Sequence, residues 1–463
     1  MNFRSKTFTP LLILSLSLIS ALVLSGRVFA AATASGSSPE EELLLQGATP
    51  EQACSFQYLK RLGWRVASGE LEVTDGNPCE DDSLAESLAQ DKLTIKVPAN
   101  LRPMERQSAL EEIVRLTHGS KSMCAYKHLI RNSVLRATQQ LGANARYEFS
   151  RHKMKKDRKG VEYDDGKLIS MGLFTRGWKK SKTEKGHFGF EVSGKPSRAI
   201  DAFYHSSIHG DCAVGIQMAQ YATQYELYGK KDFNQAFDSG EIVIGDWEFL
   251  GKTHSALQTS DISTIDQKAA EVSKLGQEAL VGLSGYINNV NGWDSLDDKA
   301  DQAENFVITS VSAQAGRNLR TAGGFAKYDV LNVKIWQLLV QANQLGDLVP
   351  EIADLRQQIA RAEYVGESTQ ALQNSVTRIE GSDSMIAPLR AQVNELFKDE
   401  VYTDIKVYVH PLGIMNFAQH LTRLARMNPR TPYTFNIHPD TTNADLFGRH
   451  ANYFISECLK SKK

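Results

Sequence analysis

Apolar positions step by three and four along much of this chain and alternate by two in only a few places. Leu110, Ile113, Val114 and Leu116 predict a helix from Glu105 to His118. Tyr126, Leu129, Ile130, Val134, Leu135 and Leu141 predict a second from about Met123 to Leu141. Between Arg146 and Val192 the period changes. Gly and Lys punctuate short runs such as Lys167-Leu168-Ile169-Ser170-Met171 and His187-Phe188-Gly189-Phe190-Glu191-Val192, which read as strands and hairpins. A short helix opens at Pro196 and ends near Tyr204. From Cys212 to Tyr228, residues Ala213, Val214, Ile216, Met218, Ala219, Tyr221, Ala222, Tyr225 and Leu227 spread around the whole cylinder, the mark of a central buried helix. Ile242-Val243-Ile244, followed by Trp247, predicts a buried strand.

From Ser255 to Lys398 the pattern is helical. Ile352, Leu355, Ile359 and Ala362 form one series, Leu372, Val376 and Ile379 a second, and Ile386, Leu389, Val393 and Leu396 a third. Gly366 and Gly381 interrupt these seams, which predict helical hairpins or a short coiled coil. Asp404 to Val409 then alternates as a strand, Ile414 to Met427 reads as an amphipathic helix, Tyr433 to Ile437 as a strand and Asn443 to Leu459 as a closing helix. The expected division is 1–30 signal peptide, 31–100 N-terminal appendage, 101–254 first part of a mixed domain, 255–398 helical insertion, and 399–463 second part of the mixed domain.

The first thirty residues change the picture. Arg4 and Lys6 precede an apolar run from Leu11 to Ile19, Ala21 to Leu24 continue it, and small residues surround Ala30-Ala31-Ala32. That is the form of a cleaved secretory signal, implying a secreted or periplasmic protein; an uncleaved anchor is the competing reading. No later stretch is apolar and long enough to span a bilayer. Thr33 to Glu42 is polar and reads as disordered. The 463 residues carry a net charge of -1, which argues against a surface built as a whole for nucleic acid or anionic membrane. The basic runs Arg151 to Lys159 and Arg176 to Lys180 read as solvated hairpins.

Export permits disulfides. The five cysteines are Cys54, Cys79, Cys124, Cys212 and Cys458, and an odd count leaves at least one thiol free. Cys54 and Cys79 bracket a polar segment that a bridge would close; Cys124 and Cys458 divide between bridge and buried thiol; Cys212 is the expected free one. Asp211 suits the N-cap of the helix that Cys212 opens. A thiol with an ordinary pKa of about 8.5 gains nucleophilicity there, from the positive potential of the helix start and from a nearby imidazole. His410 is the chosen partner, at a strand end and before Pro411, which biases it to extended backbone. His209, His254, His420, His438 and His450 compete for that role. Motifs for metal ligation and Gly-rich phosphate loops are absent, so neither cofactor nor metal is expected.

Two blocks carry a resemblance. The first runs from Lys195-Pro196-Ser197-Arg198-Ala199-Ile200 through Asp211-Cys212-Ala213 to Tyr228-Gly229, Phe233-Asn234, Phe237 and Asp246-Trp247. The second is Tyr408-Val409-His410-Pro411-Leu412-Gly413-Ile414. Both resemble the core of the bacterial spore-coat transglutaminases, protein-glutamine gamma-glutamyltransferases. The resemblance implies an α+β, papain-like/transglutaminase-like thiol domain, here with a long all-helical, coiled-coil-like insertion. It also implies Cys212 as nucleophile, His410 as its base, and Asp211 or Glu400 orienting the imidazole. The family has Glu before its Cys where this chain has Asp211, and Gly after its His where this chain has Pro411. Its strand-borne Glu has no clean counterpart near Asp399 and Glu400, and it lacks both the insertion and the export signal. The expected substrate is a protein glutamine, with a lysine or other amine as acceptor. Two alternatives stay open: a glutamine deamidase or other thiol hydrolase with the same dyad, or an inactive thiol fold that binds partners through the helical segment.

Overall fold

A computed structural model describes residues 37–73, 93–149, 154–156, 162–164, 177–182, 188–210, 212–245, 281–282, 284–289, 303–346, 355, 359, 368–410, 412–427, 432–437 and 442–462. The expected signal segment, Cys79, Asp211, Asp246-Trp247, Pro411, Arg176 and most of the first basic run lie outside the described residues, as does the strand expected over 167–171. The protein mixes helices with small, mainly antiparallel sheets, an α+β arrangement.

Helices α1 (Pro39–Leu45) and α2 (Pro50–Arg61) open the described chain. The first corrects the expectation of disorder up to Glu42: Ser38 caps it, its Oγ accepting from Glu41 N at 3.2 Å. Strands β1 (Arg65–Ser68) and β2 (Thr94–Val97) pair in parallel, and α3 (Pro103–Leu116) and α4 (Ser120–Gly142) follow. Next come β3 (Tyr147–Phe149), the hairpin of β4 (Met154–Lys156) and β5 (Glu162–Asp164), and the pair β6 (Trp178–Lys182) and β7 (Phe188–Val192). Helix α5 (Pro196–His205), β8 (Ile208–Gly210), α6 (Cys212–Tyr228), α7 (Lys230–Ala236) and β9 (Val243–Gly245) complete the first half.

The second half departs most from the sequence reading. Residues 255–398 are not all-helical. They supply β10 (Ser284–Asn289) and β11 (Ala303–Ser310), which sit inside a five-stranded sheet ordered β13-β12-β11-β10-β14. The other members are β12 (Lys406–Val409), β13 (Gly413–Asn416) and β14 (Tyr433–Ile437). Phe306, Val307, Ile308 and Thr309 are all buried, so β11 is covered on both faces. Such a strand reads as a short continuous apolar run and gives no period-2 signal. Between the strands lie α8 (Ala313–Ala322), α9 (Asp329–Gly346), α10 (Gln370–Leu396) and α11 (Glu400–Thr403). Helices α9 and α10 pack on each other, and α10 continues through Gly381, where the seam predicted a break. A lone glycine costs a helix only about 1 kcal/mol relative to alanine.

The helix expected from Ile414 begins later. Gly413 takes φ +93, closing a hairpin that pairs Val409 with Gly413 and Tyr408 with Ile414. Helix α12 (Phe417–Met427) starts only after Asn416, whose Oδ1 accepts from Gln419 N at 2.8 Å while Asn416 N donates to Gln419 Oε1 at 3.0 Å. Helix α13 (Thr442–Ser461) ends the chain.

Helices α4 and α6 pack together and cover one face of the main sheet at β11, β12 and β13. The other face carries α12 and α9, with Phe306 edge-on to Phe417 at 5.5 Å. One core joins Val134 to Ile244 with residues from Val281 to Val393 and from Val401 to Leu446, so the segment expected to be an insertion belongs to the same interior. A second core joins the expected appendage to α3, the start of α4, and Phe447 and Ala451 of α13. Helix α13 bridges the two, and Arg449 holds Glu241 through two bonds at 2.8 and 2.6 Å.

The disulfide corrects the local loop considered between Cys54 and Cys79. Cys54 of α2 is bonded to Cys458 at the end of α13, with Cα atoms 5.6 Å apart. Non-reducing peptide mapping is expected to return Cys54 and Cys458 in one linked pair; a Cys54–Cys79 pair would contradict the fold. Cys458→Ser is expected to lower unfolding free energy by about 2–4 kcal/mol in urea titrations.

Candidate active site

Cys212 is the first residue of α6. Strand β8 ends at Gly210 and lies parallel to β3, with Tyr147 opposite Ile208 and Phe149 opposite Gly210. The helix is anchored along its length. Gln217 exchanges two bonds with Gly245 of β9, at 2.9 and 3.0 Å. The Tyr221 hydroxyl donates to Val243 O at 3.0 Å, and Thr223 Oγ1 donates to Ala219 O at 2.7 Å. Val214, Met218, Ala219, Tyr221 and Ala222 are buried around the cylinder, as the spread of apolar positions predicts.

The motif residues that follow serve the scaffold. Asn234 of α7 accepts from Ser197 N at 2.8 Å and donates to Ser197 Oγ at 3.0 Å, tying α7 to the start of α5. Phe233 and Phe237 are buried, their rings tilted to each other with centroids 4.8 Å apart. Trp178, considered within a basic run, is buried and donates through Nε1 to Ala199 O at 3.0 Å.

His410 stands at the turn that leaves β12 and is 3 % exposed. Its neighbours come from the first half of the chain. The Tyr147 ring meets it edge-on with centroids 3.8 Å apart. Gly215 lies directly against it: a Cβ at position 215 would fall 2.8 Å from His410 Cγ and 2.9 Å from Cδ2. Position 215 is three residues beyond Cys212, and positions three apart share one helix face. The structure therefore packs the imidazole against the face and first turn of the helix that Cys212 opens.

Burial lowers the His410 pKa from 6.5 to about 3, so the ring is neutral near pH 7. Nδ1 is hydrogen-bonded to the Tyr408 hydroxyl, two residues back on the same strand face. Burial pushes the Tyr408 hydroxyl pKa upward, which keeps it protonated. Nε2 is buried and has no hydrogen-bond partner among the described residues.

Glu400 does not join this group. Its Oε2 accepts from Asn318 Nδ2 of α8 at 3.0 Å, and neighbouring Asp399 holds Asn318 at 3.0 Å and the Tyr328 hydroxyl at 2.9 Å. Helix α11 packs with α8 and α12, on the opposite side of the sheet from α6. The orienting role expected of Glu400 is thereby corrected, and His410 has Tyr408 instead. Asp211 lies outside the described residues.

Of the competing histidines, His450 is buried in the second core with Nδ1 3.0 Å from the Tyr58 hydroxyl. His420 is buried below the sheet, 3.5 Å from Glu304, which also pairs with Arg423. His209 lies on β8, while His254 and His438 lie outside the described residues. Among the described residues no cluster of three or more His, Cys, Asp or Glu could hold a metal ion. The sequence reading singled out neither Gly215 nor Tyr147 as site neighbours. Tyr408 was legible as the aromatic two positions before the histidine. No family model, curated protein or solved structure matches this chain.

Two expected outcomes follow from this packing. Gly215→Ala drives a methyl group into His410, and overpacking of this kind is expected to cost about 1–3 kcal/mol in denaturant unfolding. The second concerns acid. His410 and His420 hold pKa values near 3 in the fold against 6.5 ordinarily, and burial lowers His450 as well. The unfolded chain therefore binds more protons below pH 6.5, so stability falls as pH drops through the window from 6.5 toward 3. Each ring contributes a slope of about 1.4 kcal/mol per pH unit within that window. His420→Gln is expected to reduce the measured slope by one proton's worth, and an unchanged slope would show that His420 is not buried neutral.

Proposed function

We propose that this protein is an exported, transglutaminase-like thiol acyltransferase in which Cys212 attacks the side-chain amide of a protein glutamine. The observation that carries the reading is the contact of His410 with Gly215, one turn along from Cys212 on the same helix. A buried antiparallel sheet behind a helix that starts with cysteine is compatible with a papain-like arrangement. The Cys54–Cys458 bridge supports export, since structural disulfides persist in oxidising compartments.

His410 takes the thiol proton as Cys212 Sγ bonds to the glutamine Cδ. The C–N bond then breaks, and ammonia leaves with the proton returned from His410, giving a thioester. A lysine amine attacks the thioester carbon, His410 accepts its proton, and the thiol is regenerated as the isopeptide bond forms. Water in place of the amine yields glutamate. In this reading the backbone N–H groups at the start of α6, which lack intrahelical partners, supply the oxyanion hole. No metal or cofactor enters these steps.

The test offers a labelled primary amine to a panel of glutamine-bearing proteins, with wild type beside Cys212→Ala and His410→Gln. Incorporation by wild type, lost in both variants, is the expected result. A glutamine mass gain of about one unit without amine incorporation would assign the deamidase branch, in which water takes the acyl group. Labelling that survives Cys212→Ala would remove the acyltransferase reading, and a Cys212 thiol that alkylates no faster than an ordinary one would favour a binding protein.

A further inference from the structure

The partner of His410 Nδ1 is a phenol, whereas a carboxylate or amide is the usual orienting group for a catalytic imidazole. Three described neighbours face the ring: Tyr147 of β3, Gly215 of α6 and Tyr408 of β12, all uncharged. Among the described residues no carboxylate bonds to it, and Glu400 is held on the other side of the sheet by Asn318. The hydrogen bond to Tyr408 commits Nδ1 and leaves Nε2 as the ring nitrogen available for proton transfer.

We infer that Tyr408 is the positioning residue of this site, accepting a hydrogen bond from His410 Nδ1–H and so fixing the tautomer whose Nε2 carries the lone pair. The chemistry of the proposed step sets the direction of the bond. In the opposite tautomer the ring has no free lone pair to receive the thiol proton, because the one on Nδ1 is occupied by the phenol. With Tyr408 as acceptor, the same Nδ1–H···O bond holds the ring before and after Nε2 takes the proton. A neutral phenol offers a dipole where a carboxylate offers a charge, so it orients the ring without raising its basicity as far.

The role of Tyr408 rests on the acyltransferase reading, but its test does not. Nitrogen-15 NMR of histidine-labelled protein near pH 7, with His410 assigned by the signals lost in His410→Gln, reports the tautomer in the wild type directly. The expected spectrum shows Nδ1 protonated and Nε2 unprotonated. Tyr408→Phe keeps the ring packing and removes the oxygen; it is expected to shift His410 to a mixture or to the Nε2–H form. Amine incorporation by that variant should lose ~100-fold in kcat with little change in KM, the scale of a general base held in the wrong form. An Nε2–H tautomer in wild type, or an unchanged tautomer in Tyr408→Phe, would overturn the role of Tyr408. The wild-type spectrum decides the first point even if the variant fails to fold. Labelling that survives Cys212→Ala removes the acyltransferase instead and leaves the tautomer result standing.

Discussion

One contact organises the candidate site: the imidazole of His410 against the bare backbone of Gly215. Any side chain at 215 would occupy the space of the ring. The absence of a Cβ lets α6 approach the end of β12 closely enough to bring the Cys212 turn beside a histidine from the far end of the sequence. The approach is held from both sides. Helix α6 is fixed by Gln217 and Tyr221 to β9 and its neighbours, and β12 by its place between β11 and β13. Small shifts in either layer would open the contact, because a packed interior has few intermediate arrangements.

The main sheet explains why distant segments meet. Its central strand, β11, comes from the stretch whose periodicity reads as helical, and it pairs with β12 through Val307 and Tyr408. Tyr408 therefore stands on the face that α4 and α6 cover, and His410 follows it there. Phe306 points to the other face and meets Phe417. The two layers of helix thus have separate tasks. One builds the candidate site, and the other, with α8, α9, α11 and α12, completes the core and absorbs the acidic pair Asp399 and Glu400. A second core, closed by α13 and its disulfide, packs beside them.

Much of this was legible in the sequence where pattern and chemistry agreed. The all-round apolar character of 212–228 marked a central helix, and Cys212 does begin it. The alternation before His410 marked a strand, and the spacing Tyr408-x-His410 set both residues on one face. The sheet was not legible, because β10 is only six residues long and β11 is buried on both faces, so neither carries a period that separates strand from helix. The place of Glu400 was hidden for another reason: nearness in sequence to His410 says nothing about which side of a sheet a carboxylate joins. The partner of Cys54 lay at the opposite end of the chain, and cysteine spacing carries no such information.

The central claim is that Cys212 and His410 share one site, and a short bifunctional alkylating ketone, with a reactive carbon on each side of its carbonyl, tests it most directly. After reaction of the native protein and digestion, the account expects one peptide pair joined from Cys212 Sγ to a ring nitrogen of His410, absent after prior unfolding. Modification of Cys212 alone, or a bridge to a different histidine, would contradict it.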